Sequence, residues 1–397
     1  MQRVLSAIIL AAVCACGTTE RLTPPAASFS QVATRPQYSV TTLPTLGGAS
    51  QGGGINNPGW VAGYSGLPDG SRHATLWRDG SIIDLGTLGG TQSGLHSDVQ
   101  WPGLNDDGVV VGILQTAALD PLGEEWSCSA FIAANGHICL GFVWQAGVMT
   151  ALPTLGGNNG FAAGVNAVGQ VVGWAETPVH DTTCHAPQVL QFRAVRWEPG
   201  SGQATQLPPL SGDSTSAATA INARSQVVGI SGACDVAVGR RSATHAVLWD
   251  RGTITNLGSL GGDFWHTPMA INNRGDVVGF SNPPGGDFDG DSLRAFVWTR
   301  AGGMKDLGRL RGDAQSQALD INIRGQIVGV SCGDICQAIL WQDGVMYKLQ
   351  DLVDPRFAGL LWSARSINDA GQITGRFIEA GTGKRFTYVA TPITTTP

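Results

Sequence analysis

The chain has 397 residues, 56 of them glycine and 20 proline, with a formal net charge of -6; 14% of it is charged and 42% hydrophobic. This balance excludes a disordered, strongly charged chain and a helix-rich one, and the lack of any basic run excludes nucleic-acid phosphate as a partner. What is left is a polypeptide full of turns, with enough apolar residues to bury a core of short strands.

The chain opens Met1-Gln2-Arg3, continues with an apolar stretch over residues 4–13, and reaches Cys14-Ala15-Cys16-Gly17. A charged start, an apolar segment too brief to span a bilayer and small residues before a cysteine together describe an export signal. Val13-Cys14-Ala15-Cys16 resembles a bacterial lipoprotein signal box, which implies lipidation of Cys16 and membrane contact through that lipid alone. An ordinary signal peptide cut nearby is the alternative. Residues 1–16 are therefore read as the signal and 17–37, rich in Thr, Pro, Ala and Ser, as a flexible tether. The expected location is the bacterial cell envelope (periplasm, outer membrane or cell surface), or otherwise the medium.

Beyond the tether one phrase recurs seven times: an apolar residue and Asn, a short turn usually ending in Gly, then an apolar strand closed by Gly. The copies begin at Ile55-Asn56, Leu104-Asn105, Val165-Asn166, Ile221-Asn222, Ile271-Asn272, Ile321-Asn322 and Ile367-Asn368. Their spacings of 49, 61, 56, 50, 50 and 46 residues suit propeller blades and are too long for leucine-rich or ankyrin units. Six of the copies then carry a strand ending in Trp, at Trp77, Trp144, Trp197, Trp249, Trp298 and Trp341, followed by an apolar strand and a Gly-rich corner such as Leu85-Gly86-Thr87-Leu88-Gly89-Gly90. Four short strands per unit, repeated seven times, predict an all-β, seven-bladed β-propeller over residues 38–392, with 393–397 as a tail.

The ends carry complementary defects. Leu43-Pro44-Thr45-Leu46-Gly47-Gly48 nearly repeats Leu152-Pro153-Thr154-Leu155-Gly156-Gly157, so the chain begins with a fourth strand that has no unit before it. The last unit stops after a third strand near Phe386 to Ala390, with Tyr388 or Val389 in the place of the Trp. Pairing the N-terminal strand into the last blade closes the ring and removes two bare edges.

The triplets His73-Ala74-Thr75, Arg193-Ala194-Val195, His245-Ala246-Val247 and Arg294-Ala295-Phe296 precede the Trp strands. With the Leu-Gly-Thr-Leu-Gly-Gly and Ile-Asn phrases they resemble the HAF-repeat extracellular proteins of bacteria over roughly residues 38–392. The resemblance implies a surface or secreted repeat protein and brings no catalytic set.

Antiparallel order puts the Asn hairpins on one face and the long insertions, residues 114–129, 175–191, 231–242 and 282–292, on the other. Once Cys14 and Cys16 are set aside, the remaining cysteines are even in number, as disulfides in an oxidising compartment require. Closeness pairs Cys128 with Cys139 and Cys332 with Cys336, and equivalent loops of adjacent repeats pair Cys184 with Cys234. A zinc site using His180, Cys184 and His185 is the alternative. Asp213, Asp263 and Asp313 follow three successive corners at intervals of 50 residues, which suggests an arc of carboxylates for a cation or cationic ligand, or else caps of those corners. His266 nears the same rim, as do His96 and Asp98. The stretch Asp287-Phe288-Asp289-Gly290-Asp291 starts like a calcium loop, yet Trp298 stands where the last acidic ligand belongs, so no cofactor is expected, with calcium the unsupported alternative. No nucleophile with a fixed partner is evident. The leading reading is a monomeric, non-enzymatic binding or interaction scaffold for a protein or glycan; a glycan hydrolase or lyase and a purely structural surface repeat are the alternatives.

Overall fold

The computed structural model describes residues 37–95, 101, 103–124, 131–132, 135–200, 202–235, 239–287 and 289–393. Cys16, the signal, all but the last residue of the tether, Cys128, His96, Asp98 and Phe288 lie outside them.

The apolar runs become antiparallel strands and the glycine-bearing turns join them. In the fourth repeat Thr215–Ile221, Val227–Gly232, His245–Asp250 and Thr253–Gly258 lie side by side in chain order. The third, fifth and sixth repeats do the same. The last sheet takes Gly359–Ile367, Ile373–Glu379 and Arg385–Pro392 from the seventh repeat and its outer strand, Tyr38–Thr42, from the other end of the chain, with Tyr38 opposite Pro392 and Thr42 opposite Tyr388.

The first two repeats depart from the expectation of separate sheets. They share one eight-stranded sheet, so among the described residues there are five four-stranded sheets and one of eight. The two halves are joined by a single parallel pairing, Arg72 with Gln92, where the Gln92 Oε1 accepts the Arg72 N–H at 3.0 Å. In the seventh repeat the residue opposite Ile373 is Ala390, and in the others that place belongs to a Trp, as with Trp197 opposite Val171. The register therefore puts Ala390, rather than Tyr388 or Val389, where the Trp would stand.

The glycine that closes each apolar strand has a reason other than a turn. The pairing of first and second strands skips a residue in most repeats, between Ala162 and Gly164 in the third and Ala218 and Ala220 in the fourth. At this bulge the backbones approach so closely that a Cβ on Gly173 would overlap the Phe161 carbonyl, and one on Gly329 the Gln317 carbonyl.

Apolar side chains bind each sheet to the next. Val172 and Ala194 pack with Ala218, Val227 and Trp249 between the third and fourth repeats, and Ala270 and Val278 with Ile321 and Trp341 between the fifth and sixth. The series continues from the last sheet to the first, where Leu43 and Val389 pack on Ile55, Val61 and Trp77. Each fully buried Val or Ile contributes on the order of 1.5–3 kcal/mol. The Trp rings add a directed link: Trp197 Nε1 donates to the Pro153 carbonyl at 3.0 Å, Trp249 to Pro208 at 2.7 Å and Trp77 to Pro44 at 2.7 Å, each in the corner of the sheet before.

Candidate functional site

Two faces result, and their chemistry differs. On the hairpin face each repeat Asn holds its own turn through Oδ1, as at Asn222, which accepts the N–H of Arg224 at 3.0 Å and of Gln226 at 3.1 Å. Its Nδ2 does something the spacing does not reveal: it donates to the backbone carbonyl of the next repeat's Asn. The links run from Asn56 to Asn105, Asn166, Asn222, Asn272, Asn322 and Asn368 and back to Asn56, at 2.9 to 3.2 Å. This cycle surrounds a cavity of about 200 Å³ lined by the seven apolar-Asn pairs. Because the amide groups are spent on one another, its wall is architectural. Arg274 is likewise a lateral clamp, its Nη1 donating to the Ile323 carbonyl.

The opposite face carries the insertions, and here repeats are stitched to each other. A disulfide joins Cys184 to Cys234, bridging the third and fourth repeats, and another joins Cys332 to Cys336. Cys139 is also disulfide-bonded. Asp181, Cys184 and Cys234 are a close group of potential metal ligands, but both sulfurs belong to the bridge, which removes the thiolate that the zinc reading of His180, Cys184 and His185 required.

Between the second and third repeats the stitching is polar. The strands Val110–Leu119 and Val171–His180 run well past the sheet and bring their insertions together. Glu124 Oε1 accepts the N–H of Val189 at 2.7 Å and that of Leu190. Glu176 Oε2 accepts the N–H of Asn158 at 3.1 Å and of Asn159 at 2.8 Å, while Asn159 Nδ2 donates to Asp120 Oδ2 at 2.6 Å. Gln188 Nε2 reaches Glu176 Oε1 at 3.0 Å and Glu124 Oε1 at 3.3 Å. Glu124, Glu176, Asn159 and Gln188 are all buried. Burial, followed by the neighbouring charge of Glu124, pushes the Glu176 carboxyl up to about 7; burial also raises Glu124.

The residues singled out from the sequence are placed differently. Asp213 Oδ2 accepts the Ser231 hydroxyl at 2.6 Å and lies 2.9 Å from His245 Nδ1; Asp313 Oδ2 accepts the Ser331 hydroxyl at 2.6 Å. Those serines in turn accept the corner N–H of Leu210 at 2.9 Å and Leu310 at 3.0 Å. Both carboxylates thus face into their own sheets and latch the corner through a hydroxyl, a partner the backbone-cap reading did not foresee. In the fifth repeat the latch is His266: its Nδ1 lies 2.8 Å from Ser281 Oγ and its Nε2 donates to the Gly262 carbonyl at 3.1 Å. Burial pulls this imidazole down to about 4, so it is neutral, and both ring nitrogens are occupied. Asp263 acts on it through charge. Asp287 closes its own turn, Oδ1 accepting the N–H of Gly290 at 2.6 Å and of Asp291 at 2.9 Å.

A wedge of aromatic rings lies inside the same part of the molecule. Phe161 stacks on Trp174 at 4.4 Å, with Trp101 edge-on to Phe161 at 5.5 Å, in an apolar cluster that reaches Met269 and Leu319. Positions equivalent to Trp174 are apolar from Ile113 to Val330 but polar in the first and seventh repeats, where Arg376 Nη2 donates to Tyr64 Oη at 3.0 Å. Asp120, Glu124, Asn159, Glu176 and Gln188 were missed by sequence reasoning. Their one signal was the presence of acidic residues in insertions of a chain poor in charge.

No known protein family matches the chain, and no curated protein does. Among solved structures, the extracellular domain of a one-component system of B. thetaiotaomicron aligns at 8% identity and a TM-score of 0.44, over 89% of this chain and 40% of its own length. A sialidase of Trypanosoma rangeli aligns at 10% and 0.40, over 89% of this chain and 58% of that one. A lectin of Aleuria aurantia aligns at 14% and 0.35, over 68% and 76%. The chain therefore spans less than half the length of the first of these.

Proposed function

We propose that the chain is a closed seven-bladed propeller of HAF-repeat type, exported and held in the cell envelope by a lipid on Cys16, which binds a protein or glycan through its insertion-bearing face. The observation that carries this reading is the cross-linking of insertions between repeats: the Cys184–Cys234 bridge and the Glu124, Glu176 and Gln188 contacts make neighbouring loops a single rim. Loops fixed on a rigid scaffold are where recognition resides, and pre-ordering them lowers the entropic cost of binding. The cycle of Asn links and the pairing of Tyr38–Thr42 with the last strand support closure, with the joined first two repeats counted as two blades.

Catalysis is the weaker reading. Asp213 and Asp313 each commit one carboxylate oxygen, and His266 both ring nitrogens, to corner latches, so none of these three has the free geometry of a general acid or base. The test is a glycan array and an envelope cross-linking screen with the purified mature protein. It is compared with a variant in which residues 182–189 are replaced by a short Gly-Asn turn, and with Asp313→Asn. Binding lost in the loop variant and kept in D313N is the expected result; binding kept in the loop variant and lost in D313N would move the site to the carboxylate arc.

A further inference from the structure

In six of the seven hairpins the third residue after the apolar-Asn pair begins its turn is met by a side chain of the preceding repeat. A Cβ built on Gly275 would stand 3.1 Å from Arg224 Nη2, one on Gly325 2.9 Å from Arg274 Nη2, one on Gly108 3.0 Å from the Trp60 ring and one on Gly59 3.2 Å from Gln372 Oε1. Arg324 covers Gly371 in the same way. In the fourth repeat Ser225 takes that place, and its hydroxyl donates to Gln170 Oε1 at 2.7 Å. Gly169 is the exception: within 4 Å such a Cβ meets Pro199 of its own repeat and no atom of the second. The cause is local. Asp107 and Val109 occupy the positions that Arg224 and Gln226 hold in the fourth repeat, and both are too short to cross the junction. What stays open is a groove of about 730 Å³ on the hairpin face, walled by Val109, Val143, Leu152, Pro153, Val171 and Pro199. Asp107 lines it and is exposed, and no described residue bonds its carboxylate.

We propose that this groove is a further binding site, which takes an arginine side chain of a partner polypeptide. The molecule itself displays the group that fills such a junction. Arg274 lies across the corresponding one, with Nη1 donating to the Ile323 carbonyl and Nε to Asp276 Oδ2 at 2.9 Å. Ala167 is the counterpart of Ile323 and lines the groove. An arginine arriving from a partner thus meets the equivalent carbonyl, and Asp107 supplies the carboxylate from the position where the later repeats carry the arginine itself. The apolar walls receive its methylene stem. The volume falls in the range of ligand pockets and exceeds what one side chain fills, so the apolar neighbours of that arginine enter with it. A net charge of -6 favours the approach of a cationic segment. The groove lies on the face opposite the insertions, so this site goes beyond the binding function of that face and stands without it.

The test follows the fluorescence anisotropy of a labelled, capped Val-Arg-Val peptide titrated with the full mature protein, beside the same peptide carrying citrulline, the neutral isostere of arginine. The arginine peptide is expected to bind about tenfold more tightly, with a difference that shrinks as salt is added. Asp107→Asn should weaken its binding by about tenfold. Asp107→Arg restores within the chain the plug of the later repeats and should abolish binding while melting no lower than the parent; if it melts lower, D107N decides. Asp313→Asn, at a corner of the other face, should bind like the parent. No binding by the parent, equal affinity for the citrulline peptide, unchanged affinity in D107N, binding that survives in a folded D107R, or loss of binding in D313N would each overturn the assignment.

Discussion

At the scale of single residues the recurrent polar side chains work as latches, and His266 is a latch whose charge can be switched. Its folded pKa of about 4 lies below the ordinary 6.5 because a charged ring cannot be hydrated there. The unfolded chain therefore takes up a proton before the folded one does. The stability contributed by the neutral ring is complete above about pH 6.5 and is lost as pH falls towards 4, by on the order of 3 kcal/mol if the imidazole alone is counted. Urea melts of the parent and of His266→Gln between about pH 7 and 4 check this: the parent should lose stability with acid more steeply than the variant, and parallel curves would show that His266 does not set the slope. The asparagines show how far residue-level reading reached. Oδ1 bonding its own turn follows from local geometry, whereas Nδ2 reaching the next repeat's carbonyl needs the lateral neighbour, which a linear spacing of 46 to 61 residues does not supply.

At the scale of elements the insertions matter most, and two kinds of staple hold them. The Cys184–Cys234 bridge closes a span of 50 residues and joins loops of different repeats. Replacing both cysteines with serine should cost about 2–4 kcal/mol in urea unfolding and make residues 175–191 the first protease cleavage site, with the rest of the fold intact. Unchanged protease resistance would mean that the Glu124 and Gln188 contacts hold the loop without the bridge. The bridge was legible because repeat phase makes the two loops equivalent. The Glu124, Glu176 and Gln188 cluster was not, since it joins an insertion of the second repeat to one of the third and neither insertion shares a pattern with the other. The same limit explains Asp213 and Asp313. Their interval of 50 residues marked equivalent corners correctly, but which way a corner carboxylate turns depends on Ser231 and Ser331, one strand further along the chain.

At the scale of the whole molecule, the ends of the chain govern stability. Tyr38–Thr42 covers the outer edge of Arg385–Pro392, Tyr38 is buried among Leu361, Ile373 and Tyr388, and Leu43 and Pro44 reach the first repeat at Ile55 and Trp77. This was legible because the repeat arithmetic left one strand over at the start and one missing at the end, whereas the merging of the first two sheets through Arg72 and Gln92 rests on one local pairing without a periodic signature. Deleting residues 38–48 should therefore act on both sides of the junction at once. It uncovers a strand edge, strips apolar cover from the last sheet and removes the acceptor of the Trp77 indole. The expected outcome is a lower melting temperature together with concentration-dependent association in sedimentation, as the bare edges of two chains pair. A synthetic peptide of residues 37–49 added in trans should reverse both effects by refilling the edge. A truncated chain that melts like the parent and stays monomeric would show that the last sheet holds with its three remaining strands.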